Sequence, residues 1–402
     1  MASLLFLTQR IPYPPTKGEK IRAYRILRHL ARRHKVHLGT LVDDAEDWQH
    51  VETVRALCKD AYFAPLDRRV ARLTCLSGLL TGEALSVTFF RDRGLRDWVN
   101  RTLETIRPDV VFVCSGNMAP YVLEHRHRGR RIVDVVDVDS EKWREYGARA
   151  GGPMGWVYRR EARLTLALER RIAGASDATI FVSEPEAALF RSLMTGPAGR
   201  ILGVSNGVDF DYFDPAVARA APFDTGGANF VFTGTMDYKP NEDAVVWFAR
   251  AILPVIRQSL PGAVFHIVGA SPSAEVLRLA EIEGVRVTGR VADVRPYMAH
   301  ATACVAPLRI ARGIQNKVLE AMAMGKAVIV TPEALEGIEA EPGAEVMLAR
   351  GAEGIAAAAA ALARAPDVAA RIGRAARRRI QAYYSWEARL AALDGALAGD
   401  RP

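Results

Sequence analysis

Short apolar runs alternate with longer amphipathic stretches along the chain. Runs at residues 4–8, 36–41, 110–114, 132–136 and 179–182 are brief and rich in Val, Ile, Leu and Phe, the pattern of strands buried on both faces. Between them the spacing becomes helical. Residues 19–33 set Ile21, Tyr24, Ile26, Leu27 and Leu30 toward one side, with Arg and Lys opposite. Strand-helix alternation of this kind predicts a parallel sheet covered by helices. After a strand-like run at 201–204, an Asn206-Gly207 turn opens a Pro-, Gly- and Ala-rich segment that lasts to residue 227. The alternation then restarts, with runs at 230–233, 264–268, 285–288, 303–306 and 327–330. The expected fold is therefore α/β, with two doubly wound, Rossmann-like domains at residues 1–205 and 228–383 and a linker at 206–227.

The length of 402 residues is ample for two such cores. Half the residues are hydrophobic and a quarter charged, and no apolar run reaches the ~18 residues needed to span a bilayer. Residues 3–8 are too short for a signal peptide and lack a basic leader, so they read as a first buried strand and the expected location is the cytoplasm. Of the four cysteines, Cys114 and Cys304 fall in apolar runs and read as reduced core residues. The eight histidines are scattered and the cysteines lack ligand spacing, so neither a metal nor a cofactor is expected. The net charge of +8 favours anionic partners. Basic clusters at 126–131, 159–160 and 377–379 come without any nucleic-acid motif, and read as solvated faces rather than a nucleic-acid surface.

Candidate chemistry is densest at residues 309–330, where a loop containing Arg312 and Gly313 leads into a helix and then a strand. Lys317 and Glu320, three apart, share a helix face close to the end where backbone N–H groups attract phosphate. Such a pair suits a sugar nucleotide, Lys317 meeting the diphosphate and Glu320 accepting from ribose hydroxyls. Gly234, with Thr235 and Lys239 after it, forms a second loop where backbone can approach a diphosphate; taken alone, an ordinary helix capped near its start by Asn241 or Asp243 accounts for it better. Gly269 ends another strand and can pass beneath a ribose.

In the first half, Asp137 and Asp139 follow a buried strand, a costly place for carboxylates unless they bind something. They are candidates to bind or activate an acceptor hydroxyl in a cleft between domains. The rival readings are a divalent-metal Asp-x-Asp and a helix cap through Asp139 or Ser140. Gly18 lies in a Pro-stiffened loop where backbone can approach a facing domain, and Lys20 and Arg22, on opposite sides of one helix turn, are acceptor candidates. Ser183 and Glu186 have capping-box spacing. Trp143, Tyr146, Trp156 and Tyr158 lie among arginines, a composition that suits an anionic membrane surface; core packing of one or two of them accounts for it equally.

The segment Leu319-Glu320-Ala321-Met322-Ala323-Met324-Gly325 resembles the family-4 retaining glycosyltransferases, and Asn206-Gly207-Val208-Asp209 with Phe213 and Pro215 resembles their domain crossing. The whole chain is similar to the sugar transferase branch associated with exosortase and PEP-CTERM sorting. The resemblance implies a GT-B fold, a C-terminal helix at 384–402 returning to the N-terminal domain, and metal-independent transfer from a nucleotide-diphosphate sugar to a growing, polyprenyl-linked glycan. It makes Arg290 and Val291 the base-site candidates, sets Gly18 beside the donor phosphates and gives Ser183 an acceptor contact. The chain departs from the family at Arg312, which stands where the first of two glutamates eight positions apart is usual. It departs also at Thr235 and Pro240, where basic residues are usual, and at Lys17, which replaces a glycine. A nucleotide-sugar epimerase of the same fold and a non-catalytic binding partner are the competing readings.

Overall fold

The computed structural model describes residues 1–15, 18–125, 128–311 and 313–398. The chain forms two compact units, Met1–Ser205 with Leu390–Pro402 and Asn206–Arg389. The first is built on β1 (Ser3–Thr8), β2 (Lys35–Val42), β3 (Asp60–Pro65), β4 (Val110–Cys114), β5 (Arg130–Val136), β6 (Ala178–Phe181) and β7 (Arg200–Gly203). All pairs are parallel, in the order β3-β2-β1-β4-β5-β6-β7. Helices cover both faces, which is why Leu4, Leu5, Phe6 and Leu7 are all fully buried instead of alternating. Phe6 and Phe112 face each other in register across β1 and β4 with ring centroids 5.5 Å apart.

The second unit carries β8 (Asn229–Thr233), β9 (Val264–Val268), β10 (Val285–Gly289), β11 (Ala303–Ala306), β12 (Val328–Val330) and β13 (Met347–Leu348). Their order is β10-β9-β8-β11-β12-β13, again all parallel. In each sheet the chain winds outward one way and then the other. The order reverses between β1 and β4 and between β8 and β11, so the loops leaving those adjacent strands diverge and open a crevice at their carboxyl ends.

Two edge strands escape the apolar pattern. β3 begins at Asp60 and ends at Pro65, and β13 has only two residues. The Gly18–Ala31 helix also differs from its sequence reading: its inward face includes Lys20 and Arg22, while Ile21 and Tyr24 are only partly buried. The Asn316–Ala323 helix ends at Gly325, whose φ of 66° lets Lys326 N–H reach the Ala321 carbonyl at 3.1 Å and Gly325 N–H reach Met322 at 2.9 Å. Gly373 of the Pro366–Tyr383 helix packs on that turn so closely that a Cβ would overlap the Gly325 carbonyl. The division between units falls within the Trp386–Ala398 helix, whose Asp394 binds His29 and Arg33, both at 2.7 Å. No helix among the described residues is long and apolar enough to cross a membrane.

Candidate functional site

The crevice of the second sheet gathers the densest chemistry. β8 runs into Gly234, and β11 runs into the loop that precedes the Asn316–Ala323 helix. The loops after β8, β9 and β10 lock together through backbone. Gly234 N–H donates to Val268 O at 3.1 Å, Met236 N–H to Ala270 O at 2.8 Å, and Gly269 N–H to Gly289 O at 3.2 Å. Gly269 has φ of 154°, and a Cβ there would overlap the Gly234 carbonyl, so the position admits only glycine. Asn241 Nδ2 holds the Thr235 carbonyl at 2.9 Å and sits where a Gly234 side chain would be.

The Asn316–Ala323 helix starts after Gln315 with no side-chain cap, so its first N–H groups lack that intramolecular acceptor. Lys317 Nζ lies 5.5 Å from the centroid of the Phe232 ring of β8 and donates to Gln315 Oε1 at 3.1 Å. Burial lowers the Lys317 ammonium to about 8, with Glu320 opposing the shift. Burial raises the Glu320 carboxyl to about 7, with Lys317 opposing. Each group thus sits in surroundings that disfavour its own charge. A diphosphate against Lys317 and hydroxyls against Glu320 would reverse both shifts. Asn206 Nδ2 donates to Asn316 Oδ1 at 3.0 Å, which ties the first residue after the domain crossing to the first residue of this helix.

The described donor candidates of this unit sit on separate loops and a helix start. Gly313 has φ of 63° in the loop before the helix. Lys239, the first residue of the Lys239–Trp247 helix, is exposed and 3.7 Å from Glu242. Arg290 is exposed and Val291 partly buried after Gly289, at the end of β10. Arg312 and Lys17 lie outside the described residues, as do Arg126 and His127 of the first basic cluster. Arg309, which the sequence reading passed over, donates to Asp243 at 2.6 and 3.0 Å and bridges the loop after β11 to the helix after β8.

In the first unit the crevice lies at the ends of β1 and β4, where Ser115 Oγ donates to Gln9 Oε1 at 2.8 Å. Ser115 (φ 79°) and Val136 (φ 76°) both carry left-handed backbone at strand ends, a strained conformation, most costly for the β-branched valine. At Val136 the β5–β6 register shifts, and the turn delivers Asp137 and Asp139. Two acids from later helices hold that turn. Val138 N–H donates to Glu186 Oε2 at 2.7 Å; Ser140 donates to Glu169 through N–H at 3.1 Å and Oγ at 2.5 Å. Burial, with Asp139 and Glu186 nearby, raises the Asp137 carboxyl to about 7, and burial raises Glu169 to about 8. Asp139 opens the Asp139–Arg149 helix and pairs with Lys142; neither it nor Ser140 is the side-chain cap.

Lys20 and Arg22 have a different employment from the acceptor contact expected of them. Lys20 Nζ is buried against Asp47 at 2.5 Å. Arg22 is buried against Asp134, at 2.6 and 3.0 Å, and donates to the Val204 carbonyl at 2.8 Å. Gly18 begins their helix. Ser183 caps the Glu184–Leu193 helix, accepting from Glu186 N–H at 3.3 Å. Trp143, Tyr146 and Tyr158 pack on one another with centroids 5.8–5.9 Å apart, whereas Trp156 is exposed. Among the described residues, no group of three or more His, Cys, Asp or Glu is placed to hold a metal ion.

Two doubly wound parallel sheets are the GT-B glycosyltransferase fold. Sucrose-phosphate synthase from Thermosynechococcus elongatus superposes with TM-score 0.73 at 15% identity, over 99% of each chain. Anabaena Alr3699/HepE in complex with UDP and glucose superposes with TM-score 0.69 at 14% identity, over 100% of each chain. Residues 17–207 match the glycosyl transferase 4-like domain and residues 227–365 the glycosyl transferases group 1 domain. The GDP-mannose-dependent alpha-(1-6)-phosphatidylinositol monomannoside mannosyltransferase of Mycobacterium tuberculosis is 32% identical over 270 residues, 62% of this chain and 68% of that enzyme. The chain belongs to the glycosyl transferases of group 1, and is a glycosyltransferase.

Proposed function

We propose that the chain moves a hexose, with retention, from a nucleotide-diphosphate sugar to a growing lipid-linked glycan in exopolysaccharide biosynthesis, working at an anionic membrane face. This places it in the exosortase-associated sugar transferase branch. The observation that carries the reading is the Lys317–Glu320 pair, desolvated on the helix that leaves the switch-point strand β11 beside the glycine-lined end of β8. The relative that acts on phosphatidylinositol monomannoside supports a lipid-borne acceptor, and the UDP-bound neighbour supports a nucleotide donor.

In this proposal the bond from the anomeric carbon to the diphosphate breaks, and negative charge gathers on the departing phosphate oxygen. Lys317 and the uncapped N–H groups of its helix stabilise that charge, while the Gly234 and Gly269 loops admit the diphosphate. Glu320 accepts from the ribose, Arg290 and Val291 border the base, and Thr235, Lys239, Arg312, Gly313 and Gly18 complete the donor contacts. The acceptor oxygen bonds to the anomeric carbon and yields its proton to Asp137, whose carboxyl near 7 is matched to that task, with Asp139 beside it and Ser183 in contact with the acceptor. Calorimetric titration with GDP-mannose, UDP-glucose and related donors should give one saturable partner that Glu320→Ala loses. Diphosphate release should then require a lipid-linked glycan. No binding by any donor overturns the reading, and conversion of the sugar without acceptor would make the protein an epimerase.

A further inference from the structure

A row of exposed apolar side chains lies on the helical stretch that follows β3. Arg68–Thr74 is helical, Cys75–Ser77 continues as one tighter turn, and Gly78–Thr81 completes the stretch. Val70 is 54% exposed, Leu73 72%, Leu76 50%, Leu79 40% and Leu80 92%. The first four recur every third residue, with Leu80 directly after Leu79, and the tighter turn, in which residues three apart eclipse, helps to keep neighbours on one side. Ala71 and Gly78 are buried. The stretch is firmly held from behind: Arg160 donates to the Gly78 carbonyl at 2.5 Å, Thr88 Oγ1 to Cys75 O at 3.0 Å, and buried Glu161 accepts from Leu85 N–H at 2.9 Å and Ser86 N–H at 3.3 Å. Trp156 lies four residues before Arg160, one turn along the same face of the Gly152–Ala175 helix, and is 54% exposed beside Met154 at 52%. Leucines held rigidly in water gain nothing for the fold, and a contiguous group of them marks a contact surface.

Charge decides what the surface meets. Arg68, Arg69 and Arg72 are interleaved with the apolar row and exposed. Arg68 is 3.8 Å from Asp43, while Arg69 and Arg72 have no acidic partner among the described residues. The nearest acid in sequence, Asp67, accepts from the backbone of Arg69 and Val70. A second copy meeting this patch through its own would set arginine against arginine. The surface of an anionic bilayer offers phosphates at the level of the guanidinium groups and acyl chains at the level of the leucines.

We propose that Val70, Leu73, Leu76, Leu79 and Leu80, with Arg69 and Arg72, dock the first unit onto an anionic phospholipid bilayer, Met154 and Trp156 extending the contact. The inference rests on the lipid-linked acceptor proposed above for its purpose, though not for its geometry. Full-length chain is incubated with vesicles of phosphatidylcholine alone or mixed with phosphatidylglycerol, and the bound fraction is measured by flotation. Saturable binding to the anionic vesicles is expected. Leu73→Ser with Leu80→Ser should weaken it about tenfold or more. Arg69→Ala with Arg72→Ala should weaken it about twenty- to thirtyfold, at about fivefold per arginine, and only on the anionic vesicles. Ile106→Ser, at an exposed apolar site outside this patch, should change nothing. Wild-type chain that ignores anionic vesicles, variants that bind as tightly, or a dimer abolished by the leucine variant would each overturn the proposal. Donor titration without vesicles keeps the two readings separate: intact donor binding with no vesicle binding defeats only this one.

Discussion

Donor affinity should depend on pH in a narrow band, and the two shifted groups on the Asn316–Ala323 helix fix its limits. Glu320 must be ionised to accept from ribose hydroxyls, and its carboxyl is raised to about 7. Affinity therefore falls as pH drops through that value, by roughly tenfold at pH 6, since one unit of protonation is worth about 1.4 kcal/mol. Lys317 must be protonated to meet a diphosphate, and its ammonium is lowered to about 8. Affinity therefore falls again above that value, by roughly tenfold at pH 9. Binding lowers the carboxyl and raises the ammonium, so the complex releases a proton on the acid limb and takes one up on the alkaline limb, with near-cancellation between. Calorimetry in buffers of different ionisation enthalpy reads both the affinity and the proton count. Glu320→Gln should remove the acid limb and weaken binding at the optimum by about 1.5–3 kcal/mol, the range for charged hydrogen bonds. Lys317→Met should remove the alkaline limb. A flat affinity from pH 6 to 9 with no proton exchange would refute the assignment of both residues to the donor.

Arg22→Ala should destabilise the chain by about 3–5 kcal/mol in urea unfolding, because it strands Asp134 in a fully buried site. Arg22→Met with Asp134→Leu should cost less than the single change; a single variant that folds normally and loses only acceptor affinity would return Arg22 to the acceptor. Asp137→Asn should lower kcat by about 10²–10⁴ with donor affinity unchanged. Because the Asp137 carboxyl is raised to about 7, the wild-type rate should climb with pH through that value, and a climb that survives in the variant assigns it to another group.

What the sequence discloses here is what local spacing encodes. The buried strands are legible because both faces of a parallel sheet demand continuous apolar runs, and β3 is missed because an edge strand bounded by Asp60 and Pro65 meets no such demand. Lys317 and Glu320 are legible as a pair because a helix puts residues three apart on one face. Lys20 and Arg22 mislead because the acids that bury them, Asp47 and Asp134, are 27 and 112 residues away. Ser183 and Glu186 have capping-box spacing and the Ser183 half forms, yet Glu186 also reaches Val138, 48 residues back. Gln9 and Ser115 carry no motif; only the neighbouring of β1 and β4 makes them partners.

The turn that presents Asp137 is held in shape by groups it does not contain. Glu169 and Glu186 belong to helices that begin after the turn is complete, yet they supply the acceptors for its N–H groups. The motif is therefore not portable: a stretch from Val136 to Ser140 copied into another sheet would carry its carboxylates without their orientation. Chimaeras that exchange this turn between relatives should keep its geometry only when both later helices travel with it, which makes the heritable unit of this turn some fifty residues long rather than five.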